Sequence, residues 1–291
     1  MRAPARMTLP KRRFLDQVDV IREEPAAEVG SVAFLSRLLV QANLPYREPA
    51  EPSFVRRNGA LTLTLQAPPQ IGLPFGRYPR LLLAWLGTEV VRTRSPELEL
   101  GESLSATMRD LGITPSGGGH GSFERFRDQM RRLFNTTITY SWDVRRPRGR
   151  IQADAGYRLT EAVLWWEPTK EPGGRLRLSE PFFQELLRHP VPVDFRVLRA
   201  LASPLAIDIY AWLSYRSFTS SSAPVTIPWP ELAAQFGTTG SVRKFRENFE
   251  RAIGAVLAVY PSAAVEMDAL GLHVIPGVPH VGARPGRREM P

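Results

Sequence analysis

The chain has 291 residues, 43% of them hydrophobic, and 38 Lys+Arg against 29 Asp+Glu give it a net charge of +9 with no cysteine. That size and apolar content suffice for two domains with buried cores and exclude a disordered chain. The missing cysteine excludes a disulfide framework, a thiolate nucleophile and a Cys-based zinc site, and fits a reducing cytoplasm. The charge favours a polyanion such as nucleic acid or an anionic membrane surface. Lys11, Lys170 and Lys244 are the lysines, so the cation is arginine nearly throughout. A planar guanidinium suits bidentate phosphate and guanine contacts, although codon usage in a GC-rich genome explains the same bias.

Residues 1–19 are basic and lack the apolar stretch of a secretory signal, and the most apolar runs, 81–86 and 253–260, are far too short to cross a bilayer. The expectation is a cytoplasmic protein outside the membrane. The first 72 residues read as an arm, with a helix over 29–42 and an alternating strand over 61–65. Pro68, Pro69 and Pro74 then break the chain before an amphipathic helix over 78–93.

From there the order is regular: an extended piece at 98–100, a helix over 102–111, a glycine-rich turn through 117–121, a helix over 122–134, then extended runs over 136–142 and 157–166. A strand at 175–178 and a helix over 180–189 close this half, and Pro190 and Pro192 mark a boundary. The second half repeats the pattern with a helix over 204–218, a strand at 225–227, a helix over 230–236, a turn at 237–240, a helix over 241–259 and strands near 264–268 and 272–275. This spacing predicts an α+β chain of two tandem winged helix-turn-helix domains, 73–189 and 190–281. The tail, 282–291, reads as disordered and basic.

A helix-turn-helix lays its second helix in the major groove, so that helix needs one apolar and one polar, positively biased side. In 122–134, Phe123, Phe126, Met130, Leu133 and Phe134 share a face, which leaves Arg125, Asp128, Gln129 and Arg132 for DNA. Arginine forks onto guanine and glutamine pairs with adenine. In 241–259 the buried stripe is Phe245, Phe249, Ala252, Ile253 and Val256, and Arg243, Lys244, Glu247 and Arg251 point away. Ordinary surface helices laced by i,i+4 ion pairs have the same appearance. Arg145, Arg146, Arg148 and Arg150 surround Pro147 and Gly149 at the expected tip of the first wing, where they can follow a phosphate backbone or enter a minor groove. His120 precedes the first recognition helix.

No Gly-Lys dipeptide offers a Walker A loop, no His-x-His pair offers the metal site of a rolling-circle nickase, and no Asp-x-Asp pair offers polymerase metals. No catalytic residue, metal or cofactor is therefore expected. Asp208 and Glu102 read as lone caps or surface charges. Tyr78, Tyr140 and Tyr210 lack the companions of a nucleophile.

The runs RYPRLLLAWL (77–86) and SPLAIDIYAWLSYR (203–216), with TIPWPELAAQFG and VRKFRENFERAIGAVLAVYP further on, resemble the plasmid-encoded RepA replication-protein family. The resemblance implies binding to repeated sites (iterons) in double-stranded plasmid origin DNA, opening of an adjacent AT-rich segment, and recruitment of the host initiator and the host replicative helicase. It also implies repression of its own promoter and, as in some similar initiators, a homodimer that exchanges with an origin-binding monomer. A plain transcriptional repressor on the same scaffold is the competing reading. A nicking or priming enzyme would need a site that the residues do not offer.

Overall fold

The computed structural model describes residues 9–118, 121–146, 149–165, 173–219, 223–237 and 240–282. The chain is mixed α/β. It opens with α1 (Leu9–Glu23), β1 (Val32–Ser36) and α2 (Arg37–Gln41), followed by the hairpin of β2 (Ser53–Asn58) and β3 (Leu61–Gln66). The first half then runs α3 (Arg77–Thr93), β4 (Glu97–Glu99), α4 (Leu104–Asp110), α5 (Ser122–Phe134), β5 (Thr137–Arg146), β6 (Gly149–Arg158), β7 (Thr160–Leu164), β8 (Arg175–Leu178) and α6 (Glu180–Arg188). The second half comprises β9 (Pro190–Asp194), α7 (Phe195–Ala200), α8 (Pro204–Thr219), β10 (Val225–Pro228), α9 (Trp229–Phe236), α10 (Val242–Val259), β11 (Val265–Met267) and β12 (Gly271–Val274).

The expected N-terminal arm is instead part of the body. The predicted helix over 29–42 begins as a strand, because β1 pairs antiparallel with β9 in the register Val32↔Asp194 and Phe34↔Pro192. Tertiary pairing overrides local helix preference here. Only the short α2 remains helical, capped where the Ser36 hydroxyl accepts from the Leu39 N–H at 3.4 Å. Pro190 and Pro192 fit a strand in this two-stranded sheet, since an edge strand needs few ladder donors. The β2–β3 hairpin joins β5 and β6 in a sheet of order β2-β3-β5-β6.

Two other sheets share one plan. The order helix, strand, helix, helix, strand, strand occurs as α3-β4-α4-α5-β7-β8 and again as α8-β10-α9-α10-β11-β12. The sheet orders are β4-β8-β7 and β10-β12-β11, so the last strand lies in the middle both times. The β5–β6 hairpin is therefore an insertion, and the counterpart of β11–β12 is β7–β8. The run read as one strand over 157–166 divides at Leu159, with β6 and β7 in different sheets.

One apolar core passes through both halves. Within it Arg80 of α3 is 4% exposed and forks onto Asp208 of α8 with both distances at 2.7 Å. Its remaining donors reach the carbonyls of Leu44 (2.8 Å), Pro45 (3.2 Å) and Gly76 (2.6 Å). Burial opposes the Arg80 charge, but the Asp208 carboxylate overcomes it and holds the guanidinium above its ordinary pKa. Asp208, expected to be a lone surface charge or cap, is thus a buried partner joining α3, the 44–45 segment and α8. Asp208 lies within the run 203–216 and its partner Arg80 within the run 77–86.

Candidate nucleic-acid interface

Helix α5 exists because Phe126, Met130, Leu133 and Phe134 repeat at helical spacing, and all four are fully buried, with Tyr78 edge-on to Phe126 at 5.7 Å. The turn before it needs Gly121, where a Cβ would overlap the carbonyl oxygens of Ser116 and Gly117. Arg125, Arg127, Asp128 and Arg131 are exposed. The Arg125 Nε donates to the Gly121 carbonyl at 3.3 Å, and Arg127 pairs with Glu124 at 2.7 Å.

Two of the expected DNA-reading residues on α5 turn inward. Gln129 is 5% exposed, and its Oε1 accepts the Phe75 N–H at 2.8 Å. Arg132 meets Glu48 at 2.6 Å and Asp128 at 2.8 Å and lies 5.4 Å from the Phe75 ring. These side chains fasten the loops around residues 48 and 75 to the helix, because those loops cover the flank that an isolated amphipathic helix would leave in water. Sequence reasoning missed Arg127 and Arg131. The signal was present, since Glu124, Arg127 and Arg131 recur at i, i+3 and i+7 on the solvent side.

Helix α10 is capped by Ser241, whose hydroxyl accepts from the Lys244 N–H at 3.3 Å. Phe245, Phe249, Ala252, Ile253 and Val256 are buried, as the spacing predicts. Arg243, Lys244, Glu247 and Arg251 are brought together on the open side. The Arg243 side chain is 87% exposed and 3.5 Å from Glu247, Lys244 lies 3.2 Å from the same carboxylate, and Arg251 donates to Asn248 at 3.2 Å. Arg246, on the flank, lies over the Trp229 ring at 5.0 Å and pairs with Glu250 at 2.7 Å.

Arg145 and Arg146 belong to β5 and Arg150 to β6 of the inserted hairpin, while Arg148 lies outside the described residues, as does His120. The cluster is therefore not on the hairpin that repeats in the second half. Arg150 donates through Nε to the exposed Asp143 carboxylate at 2.7 Å, so part of its charge is answered locally. Residues 166–172, between β7 and β8, also lie outside the described residues. The β11–β12 turn bears no cation at all across Asp268, Ala269, Leu270 and Gly271, and Asp268 there pairs with His273 at 3.0 Å.

Among the described residues no group of His, Asp and Glu is arranged to hold a metal, and no helix is long and apolar enough to cross a membrane. The His280 Nδ1 lies 2.8 Å from the Tyr210 hydroxyl oxygen, which accepts the Asp194 N–H (2.9 Å). Burial lowers the His280 pKa from its ordinary value, with Asp194 opposing the shift and Arg196 adding to it.

The fold thus defines a mixed α/β protein in which one helix-helix-hairpin unit occurs twice, each time with a basic helix face in solvent. Residues 73–229, more than half of the chain, match the family of plasmid encoded RepA proteins, and the chain belongs to that family. No curated protein sequence matches it. The fold is similar to the crystal structure of RctB domains 2-3 (RctB-155-483), with a TM-score of 0.50 and 14% identity over 79% of this chain and 84% of that one. A second structure, of selenomethionine derivatives of domains 2 and 3 of RctB, gives 0.48 and 15% over 72% of this chain and 80% of that one.

Proposed function

We propose that this protein is a plasmid replication initiator that binds repeated sites in the double-stranded origin through two winged helix-turn-helix units, 73–189 and 190–281. The observation that carries the reading is the repeated unit in a RepA-family chain, each copy presenting a basic helix face, on α5 and on α10. Arg125, Arg127 and Arg131 on one helix and Arg243, Lys244 and Arg251 on the other supply phosphate contacts and guanine readers. The arginines of the inserted hairpin add backbone contacts. Initiation then runs on binding energy, with no catalytic residue in the chain: bound copies strain the neighbouring duplex, and the host initiator and helicase enter with the motor. A homodimeric form and repression of its own promoter accompany this role.

Fluorescence anisotropy with a labelled origin duplex and a scrambled duplex, over a series of salt concentrations, tests the binding step. The expected result is a preference for origin of about 10³-fold or more, with log affinity falling steeply as log salt rises. Equal affinity for the two duplexes would contradict the reading.

A further inference from the structure

Arg56 of β2 is 6% exposed, yet among the described residues its side chain has no ion pair and no hydrogen bond. Its guanidinium lies 4.5 Å from the Phe54 ring and 5.8 Å from that of Tyr46. Its Nη1 takes the space that a Cβ at Gly237 would fill, so glycine is required in that turn. Burial pulls its pKa down, with Tyr46 and the Asp208 carboxylate opposing the shift and Arg80 adding to it. Arg77, at the start of α3, is half-buried. One of its nitrogens donates to the Arg199 carbonyl at 2.6 Å, but its Nε is buried without a partner. Buried cations ordinarily carry a matched anion, as Arg80 does, because desolvation is expensive.

Both arginines line one cleft of about 2000 Å³, bounded by α1, the 45–50 loop, the 199–206 segment and α10. Arg13, Arg47, Lys244 and Arg251 line it too. The one carboxylate on its wall, Glu48, is held by Arg132. Phe14, Phe54 and Tyr78 add flat apolar surface. An arginine takes phosphate oxygens in a bidentate manner, and an aromatic wall takes a base. We infer that this cleft is a binding site for a nucleoside polyphosphate, its phosphates on Arg56 and Arg77 and its base against the aromatic wall. The ligand acts as an effector. Lys244 and Arg251 belong to both the cleft and the open face of α10, so the bound nucleotide competes with DNA phosphates for them and lowers DNA affinity.

Isothermal titration of the full chain with ATP, adenosine and inorganic triphosphate, in the absence of DNA, tests the site independently of any origin. ATP should bind saturably and at least tenfold more tightly than either fragment, and Arg56→Met should weaken it at least tenfold. Without ligand, Arg56→Met should melt at the same temperature or higher, because it removes a buried cation that has no hydrogen-bonded anion; Arg77→Met supplies a second variant. No saturable binding of ATP at millimolar concentration would overturn the proposal. So would inorganic triphosphate binding as tightly as ATP, or unchanged affinity in both variants. Arg56-dependent capture of a single-stranded oligonucleotide without ATP binding would assign the cleft to DNA instead.

Discussion

Helices α5 and α10 occupy the same place in two copies of one unit, yet the sequence describes them unequally well. On α10 the four residues expected in solvent are all there, because the helix packs through its apolar stripe and leaves its outer flank open. On α5 two of four are withdrawn, because Gln129 and Arg132 are engaged by Phe75 and Glu48 from segments that precede the unit. An amphipathic pattern reports which side of a helix is apolar. It cannot report which polar flank a distant segment will cover.

That contrast can be broken outright at the pair joining the two copies. Asp208→Asn leaves the buried Arg80 cation without its match, and chemical denaturation should show a loss of about 3–5 kcal/mol. A loss under about 1 kcal/mol would mean that the pair does not join the halves as described. The contrast sharpens with two substitutions that look alike in sequence. Arg243→Ala should weaken origin binding by about 1–3 kcal/mol if it reaches a base edge, with little change in stability. Gln129→Ala should do the reverse, destabilising by about 1–3 kcal/mol through the orphaned Phe75 N–H while the preference for origin over random DNA persists.

Acid should separate the halves more gently. His280 has a lowered folded pKa, so the unfolded chain binds more protons below its ordinary value of 6.5. The stability it contributes is complete above about pH 6.5 and declines as pH falls from there towards the folded pKa. The one described histidine of the first half, His189, is exposed. Hydrogen exchange at pH 5 against pH 7.5 should therefore accelerate in α8 and α10 before α5, and His280→Gln should remove the difference. The smallest effect belongs to the inserted hairpin, where Arg150→Ala should reduce the salt slope of DNA binding by about one and leave sequence preference intact.

Much of the fold was legible because it rests on local periodicity. The helices α3, α5, α8 and α10 fall close to their predicted spans, as apolar residues at 3.6 spacing must be buried somewhere. The strand read over 61–65 is β3, but the chain before it was illegible for the opposite reason. Strands β1, β2 and β9 are short and owe their conformation to partners far away in sequence, with β1 and β9 about 160 residues apart. The sequence did not separate the two hairpins β5–β6 and β7–β8, which follow one another, because alternation alone does not say which hairpin completes the repeated sheet. Arg56 and Gly237 could not have been connected at all: their meeting depends on α9 packing across β2.

The most direct test of the account is footprinting of the purified protein on its own plasmid's origin at physiological salt, with permanganate reporting unpaired thymines in the same lanes. The account predicts several evenly spaced protected sites together with reactive thymines in a neighbouring AT-rich tract. One protected site over a promoter, with no melting, would contradict it and assign the protein to transcriptional repression.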